Sequence, residues 1–149
     1  MTAIQFYHLT TSPMERALPK LLEKIVSGGH RVALVAESDA RVEQLNQLLW
    51  TYDPASFLAH GSAEDGNAEA QPIYLSTAVD TPNRANILLL TNGAPVENAE
   101  TFERVLDMFD GNNPEATAAA RARWSAYKNA GHALTYFKQT EAGGWEKAA

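Results

Sequence analysis

The chain has 149 residues, 45% of them hydrophobic and 20% charged, which is the composition of a single folded domain and excludes a disordered, collagen-like or heavily repetitive chain. Twelve Lys and Arg against 18 Asp and Glu give a net charge of −6, so the surface as a whole cannot hold duplex DNA by counterion release. The absence of cysteine removes disulfides, zinc ribbons, thiolate catalysis and iron–sulfur clusters.

The opening Met1 to His8 has no basic segment followed by an apolar one, and no stretch approaches the ~18 apolar residues of a membrane span. A cytoplasmic chain with no membrane role is expected. Ile4, Phe6, Tyr7 and Leu9 form a β-prone run that ends at Thr10-Thr-Ser-Pro13, predicting a first strand and a turn. Ser12 and Glu15 have capping-box spacing, and Pro13 suits the first helical position. Leu18, Leu21, Leu22, Ile25 and Val26 mark one apolar helical face. Pro19 is placed to delay or kink its first turns, and Gly28-Gly29 to stop it.

Arg31 to Ala36 is a nearly unbroken apolar run, the pattern of a strand buried on both faces of a parallel sheet. Ser38 or Asp39 can cap a second helix that carries Val42, Leu45, Leu48 and Leu49 up to Trp50. Residues 57–60 and 73–76 are short strand candidates, separated by a polar segment, 61–70, that reads as a mobile surface loop. Ile87 to Thr91 is a second buried-strand run, and Phe102 to Phe109 is open between strand and helix. Asn113-Pro114 starts an alanine-rich helix, 114–130, that Gly131 stops. Ala133 to Lys138 predicts a last strand, and 140–149, with Gly143-Gly144, reads as a frayed tail. Strands alternating with helices give one α/β domain over residues 1–149, a mostly parallel central sheet flanked by helices and Rossmann-like in plan.

Such a sheet puts phosphates on a glycine-rich turn after its first strand. Here that turn is Thr10-Thr-Ser-Pro13, and neither GxGxxG nor GxxxxGK[ST] occurs in the chain, so no working nucleotide site and no cofactor are expected. His8, His30, His60 and His132 lack the helical pairing of metal ligands. Ser12, Ser38 and Ser76 lie outside GxSxG, and the first two read as caps or turns. Glu97, Glu100, Glu103, Asp107, Asp110 and Glu115 read as a solvated acidic face. The expectation is a chain without catalysis of its own. The alternative is an α/β enzyme or nucleotide-binding protein whose site is assembled from residues distant in sequence.

Charge is unevenly spread. Residues 93–115 carry those six acids against Arg104, whereas 116–140 carry Arg121, Arg123, Lys128 and Lys138 and no acid. On the predicted helix Arg121 and Lys128 lie on one stripe, about 10 Å apart, with Ser125 between them. Trp124 and Tyr127 flank that stripe, and with Ala116 and Ala120 they also make a buried-face pattern, so the aromatics read either as core or as groove walls. Cations beside aromatics suit an acidic peptide ending in an aromatic residue with a free carboxylate, because Arg clamps carboxylates bidentately. The aromatic end would bury apolar surface near Phe109 or Trp124. Single-stranded DNA is the rival ligand, held only weakly and salt-sensitively by so few cations.

Four stretches run in order through most of the chain: Phe6-Tyr-His-Leu9; Gly29-His-Arg-Val-Ala-Leu-Val-Ala36; Leu48-Leu-Trp50 with Pro54-Ala-Ser-Phe57 and His60; and Arg121-Ala-Arg-Trp-Ser-Ala-Tyr-Lys-Asn-Ala-Gly131. This collinear set resembles the chi subunit family of the bacterial DNA polymerase III holoenzyme. The resemblance implies a noncatalytic accessory subunit of the clamp-loader complex, with a fold like that of nucleotide-binding domains. It implies that one face binds the acidic C-terminal tail of single-stranded DNA-binding protein and another binds the small psi subunit. Arg121 matches the family's central basic residue for the tail, and Lys128 a further basic position. Thr117 and Ser125 stand where better-studied members carry lysines, and Arg123 or Lys138 can compensate. For psi, Phe57 matches a family contact position with Trp50 and Pro54 nearby, although Trp50 also reads as core. Psi is poorly distributed among bacteria, so chi can work without it.

Overall fold

The computed structural model describes residues 3–51, 60–62, 68–78, 81–91 and 101–148. Its strands are β1 (Ala3–Leu9), β2 (Val32–Val35), β3 (Gly61–Ser62), β4 (Ile73–Ser76), β5 (Ile87–Thr91), β6 (Arg104–Asp110), β7 (Ala133–Gln139) and β8 (Trp145–Lys147). They form one sheet in the order β3-β4-β2-β5-β6-β1-β7-β8. Every pair is parallel except β7 with β8. The helices are α1 (Met14–Ser27), α2 (Asp39–Thr51) and α3 (Pro114–Asn129). This is the α/β architecture with a mostly parallel sheet that the alternation of apolar runs predicts.

The unbroken apolar runs become the middle of the sheet: every residue of β2 and β5 is buried. Alternate residues of each strand face opposite layers, as the pleat requires. Tyr7, Leu9, Leu34, Leu89 and Met108 pack with α1 and α2, whereas Ile4, Phe6, Val105 and Phe109 pack with α3 residues Ala120 and Tyr127. Helix α3 begins where Asn113 Oδ1 accepts from the N–H groups of Glu115 (2.9 Å) and Ala116 (3.2 Å), with Pro114 in the first position. Ser38 caps α2 in the same way, its Oγ accepting from the Arg41 N–H at 3.1 Å.

Four local expectations differ. Ser12 makes no helix cap: Pro13 is the capping residue of α1, and Ser12 Oγ instead accepts from Gln139 Nε2 at 3.1 Å. Pro19 lies buried inside α1 without delaying its start at Met14. The polar segment 61–70 is not all loop, because the small residues Gly61 and Ser62 add a buried edge strand to β4 and Ala68–Ala70 form a single 3-10 turn. The tail is not frayed over 145–147. Gly143, at φ 89°, lets the chain turn back, the Thr140 N–H bonds the Gly144 carbonyl (2.8 Å), and Trp145 packs its ring edge 5.0 Å from Tyr7. The open segment before Phe109 is strand β6, paired with β5 on one side and β1 on the other. Residues 57–59 of one strand candidate lie outside the described residues. Among the described residues no helix is long and apolar enough to cross a membrane.

Candidate functional site

Strands β1 and β6 are neighbours whose following helices leave on opposite faces, α1 toward β2 and α3 toward β7. A crevice opens at such a switch point, at the carboxyl ends of the strands. Here it measures about 630 Å³ and is lined by the first turns of α1 and α3, by Phe109 and Asp110, and by Arg41 from α2. The crevice thus sits at the ends of β1 and β6.

In nucleotide-binding sheets the N–H groups of the first turn hold phosphate. In this chain the N–H groups of Thr10, Thr11 and Ser12 all donate to one atom, Oε1 of Gln139, at 3.2, 2.9 and 2.9 Å. Gln139 is buried, so an internal carboxamide oxygen stands where a phosphate oxygen would. The first turns of both helices also carry carboxylates, Glu15 and Glu115, with Asp110 in the same lining. Burial pushes the Glu15 carboxyl up, but the hydrogen bond from Arg41 (2.9 Å), a backbone N–H and the Arg41 charge together hold it below the ordinary value. Filled donors and a carboxylate rim suit no polyphosphate.

The outer face of α3 is built differently. Arg123 and Arg121 are two residues apart, about 200° around a helix, and they part company. Arg123 turns inward and clasps Asp107 bidentately, Nε to Oδ2 at 2.6 Å and Nη2 to Oδ1 at 2.9 Å. Asp107 is fully buried in the middle of β6. Burial raises its carboxyl and the Arg123 guanidinium opposes that rise. Tyr127, buried beneath the same helix, is pushed up to about 12 by burial and by the Asp107 charge, against Arg123. A buried ion pair of this kind pins the helix to the sheet. Arg123, expected to compensate for the missing lysines, is instead engaged with Asp107.

Arg121, Lys128 and Lys138 are exposed, and none forms an ion pair among the described residues. Arg121 lies close enough to His8 and Tyr136 for its charge to act on both, and Lys138 acts on His8 as well. Lys138 is beside His8 in the β1–β7 register. Trp124 is half-buried, edge-on to Phe6 (5.4 Å) and Tyr136 (5.7 Å), so it is core on one side and wall on the other. Phe109 is buried beneath the His8 ring, 5.0 Å between centroids. The fold therefore gathers Arg121, Trp124, Phe109 and Lys138 at one end of the sheet, adds His8 and Tyr136, and sets Lys128 two turns further along α3. The Thr117 hydroxyl donates to the Asn113 carbonyl at 3.1 Å.

On the opposite edge Trp50 is 52% exposed, which settles the core reading against it. Its ring lies 4.7 Å from that of His60, whose Nε2 donates to the Asn46 carbonyl at 3.0 Å. Pro54 and Phe57 lie outside the described residues. Among the described residues no group of three His, Cys, Asp or Glu could hold a metal.

Residues 1–135 match the family described as DNA polymerase III chi subunit, HolC. The chain is 30% identical over 140 residues to the DNA polymerase III subunit chi of Pseudomonas aeruginosa, covering 90% of this chain and 94% of that protein. It is 26% identical over 117 residues to a probable DNA polymerase III subunit chi of Rickettsia prowazekii, covering 74% and 71%. The Escherichia coli DNA polymerase III subunit chi is 25% identical over 124 residues, covering 83% and 84%. With its phosphate nest filled from within, a cationic helix face beside it and a match over most of its length, the chain belongs to the DNA polymerase III chi subunit family.

Proposed function

We propose that this chain is a noncatalytic subunit that ties the clamp-loader complex of DNA polymerase III, in the cytoplasm at the replisome, to protein-coated single strands. It does so by binding the acidic C-terminal tail of single-stranded DNA-binding protein on the outer face of α3. The observation that carries this reading is the unpaired state of Arg121 and Lys138 beside half-buried aromatic rings, while Arg41 and Arg123 are spent on Glu15 and Asp107. A cation without an internal partner, next to apolar surface, meets both halves of a peptide that ends in an aromatic residue and a carboxylate. Arg121 clamps carboxylate, Lys128 adds longer-range attraction, and the half-buried Trp124 receives the aromatic, with Phe109 buried behind the site under His8. The region of Trp50, with Pro54 and Phe57, is the docking surface for a psi-like partner where one exists.

Calorimetry with the tail peptide of the organism's own single-stranded DNA-binding protein tests this. Arg121→Glu is expected to weaken binding by about 2–3 kcal/mol, the range for losing a charge-assisted contact and adding repulsion. Equal affinity in wild type and a folded Arg121→Glu variant would overturn the assignment. Tighter binding of bare single-stranded DNA than of the peptide would favour a nucleic-acid role instead.

A further inference from the structure

His8, the last residue but one of β1, lies in the sheet row Phe109, His8, Lys138 on the α3 face. Its ring is held on three sides. The Cδ2–Nε2 edge lies over Gly111, where an added Cβ would meet both atoms at 2.0 Å. Phe109 lies beneath it, and Nδ1 is hydrogen-bonded to the Tyr136 hydroxyl. Only glycine at 111 leaves room for an imidazole in this position. The charged groups that act on the ring come from each element around it: Lys138 from β7, Arg121 from α3 and Asp110 from β6. Arg123, also on α3, is neutralised by Asp107.

Burial first, then the two cations, push the His8 pKa down, and Asp110 only partly opposes them. All three work against a proton on the ring of the free protein. A neutral Nδ1 can accept from the Tyr136 hydroxyl, whereas a protonated ring must donate there, which frees the hydroxyl hydrogen for another acceptor. Carboxylates seated on Arg121 and Lys138 would cancel the field that keeps the proton off.

We propose that His8 is a proton-gated contact of this site: an acidic peptide bound at Arg121 and Lys138 draws one proton from solvent onto His8, and the Tyr136 hydroxyl turns to donate to a peptide carboxylate. This rests on the tail-binding reading above and adds to it a pH dependence and two contact residues. The sign follows from linkage. Binding raises the His8 pKa, so affinity is greatest below the free-protein value and is lost as pH rises through the bound-state value. Over pH 8 to 6 peptide affinity is expected to rise by less than the roughly tenfold ceiling that a one-unit change in a single imidazole sets, because the free ring already titrates below its ordinary value.

The test is an NMR titration of the His8 imidazole, free and saturated with an Asp-rich peptide ending in a free-carboxylate phenylalanine, with peptide affinity measured at pH 6 and pH 8. The expected result is a higher His8 pKa in the complex and tighter binding at pH 6. Whatever its affinity at pH 8, His8→Gln should flatten the difference in peptide affinity between pH 6 and pH 8, and Tyr136→Phe should reduce that difference. An unchanged His8 titration in a saturated complex, or the full pH 6 gain in a folded His8→Gln variant, would overturn the proposal and leave tail binding standing. No peptide binding at either pH would overturn tail binding itself, and this inference with it.

Discussion

The crevice at the end of β1 and the outer face of α3 share a helix, yet they treat negative charge in opposite ways. In the crevice the fold supplies backbone donors and two helix N-termini, and the sequence meets them with Gln139 on the turn Thr10 to Ser12, Asn113 on the first N–H groups of α3, and the carboxylates Glu15 and Glu115 in the two first turns. On the outer face Arg121, Lys128 and Lys138 provide charge that forms no ion pair among the described residues. A handful of side chains thus sets the two regions apart. The backbone donors that would hold phosphate are closed, and free guanidinium and ammonium groups are placed a few residues away.

Breaking the anchor beneath both regions should have the largest effect. Asp107→Ala removes the buried partner of the half-buried Arg123 guanidinium and is expected to cost about 3 kcal/mol in urea unfolding, the low end for breaking a buried pair because Arg123 keeps some access to solvent. The double replacement Asp107→Leu with Arg123→Met should recover most of that loss, since an apolar pair of similar volume is often neutral. A single-variant loss under about 1 kcal/mol would mean that the pair does not hold α3 to the sheet.

Gln139→Ala sharpens the comparison at the crevice. It leaves the N–H groups of Thr10, Thr11 and Ser12 without their acceptor and should cost about 1–3 kcal/mol of stability. The same variant, unlike wild type, should gain thermal stability from sulfate or phosphate, because ligand binding to the native state raises the apparent melting temperature. A variant indifferent to both anions would show that the turn is not a latent anion nest.

The smallest effect is expected on the outer face. Lys128→Ala removes an exposed charge two turns from Arg121 and should weaken peptide binding by well under ~1 kcal/mol, less still at high salt. A loss as large as that of Arg121→Glu would move the centre of the site along α3.

What the sequence discloses follows the range of the forces involved. Strands β2 and β5 are legible because burial on both faces demands an unbroken apolar run, and α3 is legible because Asn113-Pro114 and Gly131 are local signals. Gln139 reaches back 127 residues to Ser12, and His8 reaches forward 128 to Tyr136, distances at which no local pattern operates. For that reason Ser12 looks like a cap and Gln139 like an unremarked strand end. Two signals were present in the residues themselves. Asp107 stands among Val105, Leu106, Met108 and Phe109, and an acid inside so apolar a strand requires a buried cation. The two-residue step from Arg121 to Arg123 puts them on opposite sides of a helix, so the inward one was Asp107's partner and the outward one was free. Trp50 could be read either way, because an exposed anchor and a core residue differ only in what the rest of the chain covers.

The most direct test of the account is backbone NMR of the labelled chain during addition of the acidic tail peptide. The account predicts saturable shifts along Arg121 to Lys128 and at His8, Tyr136 and Lys138, with the turn Thr10 to Ser12 unmoved. Shifts centred on Thr10 to Ser12, Glu115 and Arg41, with Arg121 unmoved, would place the ligand in the crevice and contradict it.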